Sequence, residues 1–456
     1  MTDSSVSLLI LGASGDLAAR LLMPGLGKLL TAEPDRKVQL IGAGSDDLSA
    51  DDWKKRVTTS FESVDASGAA VEAILKDSVY IKADVTNGDD LRKLLAACDG
   101  TPALYFALPP AITEKACAQL EKKDLPKGTI LAMEKPFGHD EASAHALNER
   151  LLELVPEDSI HRIDHFLGRS TVLNLLGLRF ANRIFEPLLS NEHVQSIDIV
   201  YDEELSLENR ARYYDHAGAF VDMIQSHLLQ VMTVLTMEAP ATLSAVDIRD
   251  QKALVLRATR LWEDDPIAAS RRARYTAGEI GGRKLPSYVD EEGVDPANDT
   301  ETLAELIVEV RNWRWSGVPI RLRSGKAIGT HRQEMLVTFK PAQHLPDGFS
   351  GVEETDKLRL GIVPDNMALE INVNGPGEPY EIDRADVCVD FGAGALTAYA
   401  EVLSGVLSDD PTLSIRGDSA EQCWRIVQPV IDAWKADKVP LEEYAAGSPG
   451  PEGWPA

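Results

Sequence analysis

The run Leu8 to Leu26, LLILGASGDLAARLLMPGL, carries an apolar stretch into Gly12 and Gly15 immediately ahead of a helical pattern. Glycines at such a point let backbone N–H groups approach a pyrophosphate at a helix N-terminus, which is the chemistry of dinucleotide binding. Any strand-to-helix turn can use glycine in the same way. The third glycine of the common GxGxxG fingerprint is missing, since Gly15 is followed by Asp16-Leu17-Ala18. A second candidate is His227, in the apolar stretch Val221 to Met237, on the side shared by Ile224 and Val231 at three- and four-residue spacing. Histidine is the natural base near neutral pH, and it could take a hydroxyl proton while the adjacent carbon gives up hydride. A lone histidine on such a helix is equally an ordinary core residue, and the local pattern leaves both readings open.

The elements that would position these groups are legible as two patterns. In the first third of the chain, short apolar runs alternate with amphipathic stretches, the form of β-α-β units around a parallel sheet. Val6 to Leu11, Val38 to Gly42, Val79 to Ile81, Ala103 to Leu108 and Thr129 to Met133 are the predicted strands, with helices between them such as Ala19 to Thr31 and Asp89 to Ala97. Pro24 lies near the start of its helix or bends it. From about residue 165 long helices are mixed with alternating strands, as at Val194 to Tyr201, Glu305 to Asn312, Glu334 to Phe339 and Ala368 to Val373. Alternation of that kind suits an antiparallel sheet with one covered face. The expectation is a fold of α/β plus α+β class: a Rossmann-like domain over residues 1–164, then a larger domain over 165–456 with a mainly antiparallel sheet and covering helices. The polar, glycine-containing segment Arg271 to Thr300 reads as a long ordered loop, and Gly447 to Ala456 as a mobile tail.

Composition narrows the function classes. A chain of 456 residues with 44% hydrophobic content exceeds the usual reach of one core, in keeping with two domains. The net charge of −27 repels nucleic acid and anionic membranes, so neither is an expected partner. It would also repel an anionic substrate, so each cation in a candidate site becomes more informative. No stretch approaches the roughly 18 apolar residues of a membrane span, and MTDSSVSLLILG has no basic flank before its apolar run; the expectation is a cytoplasmic protein. Cys98, Cys117, Cys388 and Cys423 lie far apart without metal-ligand spacing, so reduced thiols and no metal are expected.

The GASGDLA turn resembles the opening GxxGDLA motif of the glucose-6-phosphate dehydrogenase family. Four further segments are similar to that family's motifs in the same order: EKPFG at Glu134 to Gly138, RIDHFLGR at Arg162 to Arg169, AGAFVDMIQSHLLQ at Ala217 to Gln230, and NWRWSGVPIRLRSGK at Asn312 to Lys326. The segment IRGDSAEQCWRIVQPVIDAW resembles its closing region, so that the likeness extends over roughly four-fifths of the chain. The resemblance implies oxidation of C1 of glucose 6-phosphate to 6-phosphogluconolactone with hydride transfer to NAD(P), at the entry to the pentose phosphate pathway. It also implies a homodimer or homotetramer built on the second domain's sheet. Dehydrogenation of another aldose phosphate, and a non-catalytic regulatory paralogue that binds sugar phosphate or dinucleotide, are the competing readings.

By this resemblance His227 is the general base and Asp164 the carboxylate that orients it, a pairing that fixes the tautomer and stabilises the imidazolium. His165 and Arg169 match the positions that grip the substrate phosphate. Glu203 and Asp222 match acceptors of sugar hydroxyls, Lys326 a lysine on the sugar, and Lys135 a lysine between substrate and cofactor. The cofactor set comprises Gly12, Ser14, Gly15, Asp16, Leu17, Ser45, Asp46, Pro109 and Lys135. Taken singly these residues have bland readings: Asp164 in an ion pair with Arg162 or His161, Asp222 as a helix cap, Lys326 as a solvated loop charge. The chain departs from the family pattern at Leu21, where a lysine is usual, at Ser226 for asparagine, at Phe166 for tyrosine, which loses a hydroxyl donor, and at Arg169 for lysine, which gains a fork. After the second strand, where relatives place an arginine for the 2′-phosphate of NADP, the chain reads Ala43-Gly44-Ser45-Asp46-Asp47 with no basic residue until Lys54. Carboxylates there accept from the ribose hydroxyls of NAD and repel a phosphate, so NAD is expected to be used at least as well as NADP.

Overall fold

The computed structural model describes residues 5–208, 211–351, 354–375, 377–392 and 394–454. They form two compact units, each assembled from three chain segments. The first comprises Met1–Arg169, Pro240–Ala253 and Gly394–Trp424, and the second Ser170–Ala239, Leu254–Ala393 and Arg425–Ala456. Two later segments return to the first unit, a discontinuity that no composition shift in the sequence announces.

The first unit is built on a seven-stranded sheet of β1 (Val6–Leu11), β2 (Val38–Gly44), β3 (Val79–Lys82), β4 (Thr101–Phe106), β5 (Ile130–Glu134) and β6 (Ile160–Ile163), with the short strand Ser414–Ile415 on its edge. The order from that edge is β6-β5-β4-β1-β2-β3, all parallel, and the edge strand is antiparallel to β6. Helices cover the sheet, so β1 and β4 are buried almost throughout, as unbroken apolar strands of a parallel sheet must be. The crossover out of β1 starts as a wide i→i+5 turn over Ala18–Leu22 and continues as α1 (Met23–Ala32), with Pro24 in its first turn. A proline there has no N–H to give the preceding turn, which accounts for the change of winding at that point. Its apolar face packs with Leu8, Leu40, Trp53 and Phe61 in the unit's core.

The second unit carries an eleven-stranded sheet. Its strands are β7 (Val194–Asp202), β8 (Thr259–Leu261), β9 (Ser270–Thr276), β12 (Leu303–Val310), β13 (Ile320–Gly325), β14 (Arg332–Phe339), β15 (Ser350–Gly351), β16 (Lys357–Gly361), β17 (Asn366–Asn374), β18 (Glu381–Asp390) and β20 (Leu441–Ala445). The hairpin β10 (Gly278–Ile280) and β11 (Arg283–Leu285) stands apart, and β19 is the Ser414–Ile415 strand of the first unit. Most neighbours are antiparallel; β7 with β13, β9 with β20 and β15 with β18 are parallel. Among the described residues no helix is long and apolar enough to cross a membrane.

Two expectations are corrected. Arg271 to Thr300 is not a loop throughout: its first residues belong to β9, paired with both β12 and β20, and the hairpin β10–β11 follows. Short polar strands such as RRARYT read as loop because their charges hide the apolar alternation of a strand and their partners are remote in sequence. The tail is also held. Gly447 N–H donates to Ala327 O at 2.9 Å, Arg323 donates to Pro449 O at 2.6 Å, and Pro451 is buried; residues 455 and 456 lie outside the described residues.

Candidate active site

In the first unit, the turn after β1 is shaped for close backbone approach. Gly12 has φ +87° and an added Cβ would collide with the backbone of Ala107, so only glycine fits. Gly12 and Ala13 N–H groups donate to Ala43 O at 2.8 and 3.0 Å, which ties the turn to the end of β2. Ser14, Gly15, Asp16 and Leu17 follow at the start of the helical crossover, a strand-turn-helix cradle of the kind that fits a dinucleotide pyrophosphate. Pro109 caps the Pro110–Gln119 helix after β4, and Lys135 follows the end of β5.

The loop after β2 is met by two residues that local sequence does not point to. Tyr80 and Lys82, from the adjacent β3, meet it through the parallel register Gly42↔Tyr80 and Gly44↔Lys82. Tyr80 donates to Asp46 O at 3.1 Å, and Lys82 Nζ lies 3.0 Å from Asp47. Burial holds the Tyr80 hydroxyl above its ordinary pKa, offset by its bond with Ser14. Arg56, on the helix Ala50–Glu62 capped by Ser49, turns its guanidinium to Ser14 O and, at 2.9 Å, to Gly15 O.

Asp164 is buried directly after β6, where its Oδ1 accepts from Phe166 N–H at 2.9 Å and caps the single turn His165–Gly168. The turn sets His165 stacked on Tyr399, ring centroids 5.0 Å apart, and carries the Arg169 guanidinium 4.6 Å above the Phe166 ring. Phenylalanine at 166 is thus more than a lost hydroxyl, since its face supports the arginine. Lys252, buried at 3% exposure, gives no signal in the sequence; burial pushes its pKa down to about 8, opposed by the Asp164 carboxylate. Glu134 is pushed up to about 7 by burial, with Tyr105 donating to it at 2.5 Å. Leu21 is solvent-exposed.

In the second unit, His227 and Asp222 lie on the wide i→i+5 helix Phe220–Leu228, both buried. Five-residue hydrogen bonding sets residue 227 one turn beyond residue 222. Ser226 donates to Asp222 O at 3.0 Å, which satisfies the hydroxyl standing where asparagine is usual. Gly218, two residues ahead of this element, has φ +63°, and any Cβ there would overlap the Glu301 carboxylate. Parallel pairing of β7 with β13 brings Glu203 to Lys326, Nζ to Oε2 2.7 Å, with the ammonium 5.3 Å from the Tyr214 ring centroid.

Glu301 Oε1 accepts from Phe220 N–H at 2.9 Å, and burial pushes its pKa from 4.5 to about 7. The folded state therefore holds this proton more tightly than the unfolded chain. The resulting stability is complete below pH 4.5 and lost as pH rises through about 7. Glu301→Gln keeps the acceptor without the proton, so its thermal stability should fall less steeply between those values, by up to about 1.4 kcal/mol per pH unit. Parallel wild-type and variant curves in pH-dependent melting would show that Glu301 ionises equally well in both states.

Two family models match end to end: the NAD binding domain of glucose-6-phosphate dehydrogenase over residues 9–174 and its C-terminal domain over 176–455. The glucose-6-phosphate 1-dehydrogenase of Rhizobium meliloti is 35% identical over 97% of this chain and 94% of its own length. Among solved structures, the glucose-6-phosphate 1-dehydrogenase of Mycobacterium avium superposes with TM-score 0.85 at 32% identity, covering 98% of this chain and 95% of that one. A glucose-6-phosphate dehydrogenase in complex with its substrate glucose 6-phosphate gives TM-score 0.87 at 29% identity, covering 99% and 96%.

Proposed function

Because the chain belongs to the glucose-6-phosphate dehydrogenase family, we propose that it oxidises C1 of glucose 6-phosphate to the lactone, with hydride passing to a nicotinamide dinucleotide. The observation that carries this reading is the Asp164-capped turn, which holds an imidazole and a ring-supported guanidinium next to a buried carboxylate. His165 and Arg169 bind the substrate phosphate as charge-assisted donors. Glu203 and Asp222 accept from sugar hydroxyls, Lys326 donates to the sugar, and Lys135 lies between sugar and cofactor. His227 takes the C1 hydroxyl proton, and Asp164 orients its ring and stabilises the imidazolium. A bound dinucleotide supplies the hydride acceptor, held by the Gly12 to Leu17 turn with Ser45, Asp46 and Pro109. The assembly is a homodimer or homotetramer through the second unit's sheet, whose strand β18 exposes Val387 and Val389.

The cofactor reading is that NAD is used at least as well as NADP. Asp46 and Asp47 suit free ribose hydroxyls, while Lys82 sits on Asp47 and Arg56 on the turn carbonyls. A spectrophotometric screen of aldose phosphates against both dinucleotides tests substrate and cofactor together, with glucose 6-phosphate expected to give the highest kcat/KM. Preference for NADP above about tenfold, or about 1.4 kcal/mol, would mean that Lys82 or Arg56 leaves its partner for the 2′-phosphate. A different best sugar would overturn the substrate.

A further inference from the structure

The C-terminal segment is hydrogen-bonded along the loop that follows β13 and carries Lys326. Tyr444, 3% exposed in β20, donates its hydroxyl to Lys326 O at 2.7 Å and pairs with Thr302 Oγ1 at 2.8 Å. Thr302 O in turn accepts from Lys326 N–H at 2.8 Å, so both backbone groups of the lysine are held through one Tyr–Thr pair. Beyond β20 the chain continues along the same loop: Gly447 N–H donates to Ala327 O at 2.9 Å, and Gly329 N–H to Ser448 O at 3.0 Å. The approach is so close that a Cβ on Gly329 would strike Gly447 O. Arg323, in β13 three residues before Lys326, completes the contact by donating to Pro449 O at 2.6 Å and to Asp202 at 2.9 Å.

Within this loop Ala327 is fully buried with φ +52°, a left-handed conformation that alanine keeps only where its surroundings over-determine it. Its N–H donates to Leu205 O at 2.9 Å on one side, and its carbonyl accepts from the strap on the other. The outcome is a lysine whose backbone is clamped on both sides of Cα and whose ammonium lands on Glu203. A lysine chain has several free torsions, so its reach is reproducible only if its base is held.

We propose that Tyr444 and the strap Gly447 to Pro449 are positioning elements for Lys326, so that the C-terminal segment sets the affinity of the sugar-phosphate site. The proposal rests on the reading of Lys326 as a substrate contact. Tyr444→Phe removes one hydroxyl and keeps the ring. It is expected to raise KM and the calorimetric Kd for glucose 6-phosphate about five- to twentyfold, with most of the effect on KM and the dinucleotide's KM within about twofold. Ala327→Gly removes one buried methyl and relieves the left-handed strain, effects of opposite sign, so its melting temperature should stay close to that of the wild type while KM for the sugar phosphate rises, a combination that damage to the fold would not produce. In a Lys326→Ala background, Tyr444→Phe should add nothing further to KM, since the clamp then has nothing to aim. An unchanged KM in Ala327→Gly, or a Tyr444→Phe effect that persists undiminished without Lys326, overturns the proposal. If Lys326→Ala itself leaves KM and Kd unchanged, it is the substrate reading of Lys326 that fails. If Tyr444→Phe does not fold, Ala327→Gly and its combination with Lys326→Ala decide the question.

Discussion

His227→Asn folds, still binds glucose 6-phosphate, and loses several orders of magnitude in kcat. The side chain is buried in the Phe220–Leu228 helix, and asparagine is close enough in size and polarity to leave that element intact. What it cannot do is accept the proton that leaves the sugar hydroxyl, so the loss falls on the chemical step and not on binding. Asp164→Asn is the companion measurement. Its amide oxygen can still accept from Phe166 N–H and keep the His165–Gly168 turn, but the negative charge that favours the imidazolium is gone. At least a tenfold loss is expected. Retention of more than about a tenth of wild-type turnover by His227→Asn, under conditions where chemistry limits the rate, would remove His227 as the base.

Arg169→Ala raises KM for glucose 6-phosphate by about a hundredfold and leaves KM for glucose within about threefold. Only the phosphorylated sugar has a dianion to lose, and a forked, charge-assisted contact is among the stronger polar interactions available. The guanidinium rests 4.6 Å above the Phe166 ring, so its aim is set before substrate arrives. Phe166→Leu should therefore reproduce part of the effect by loosening the arginine, although it removes no charge. Steady-state kinetics with both sugars measure the split. Equal changes for the two substrates would take Arg169 out of the phosphate site.

How much of this was readable beforehand differs from residue to residue. The apolar run of β1, the glycines that end it and the helical period that follows are encoded in contiguous residues, and they read out as the Gly12 turn because period and composition act locally. Gly12 in particular has to be glycine, and its place after an apolar strand says so. The ordered motifs from EKPFG to RSGK likewise located the segments that carry the proposed site residues. Lys82 could not be found in this way. It lies far from Asp47 in the chain and meets it only because β3 pairs with β2 in parallel register.

The same limit explains the other differences. Phe166 read as a lost hydroxyl, because nothing in its neighbours reveals that Arg169 folds back over its ring. RRARYT read as loop, because its pairing with β12 and β20 is decided by segments distant in sequence. The tail read as mobile from its glycines and prolines, whereas those residues are what let its backbone lie against Gly329 and Ala327. By itself, then, the sequence determined the β-α-β character of the first unit, the glycine turn and the family motifs, all set by side-chain period and local backbone freedom. Tertiary structure alone decided which ion pairs form around that turn, what supports Arg169 and Lys326, and which distant segments complete each unit. Such contacts depend on strand register and chain return, and a one-dimensional pattern does not carry that information.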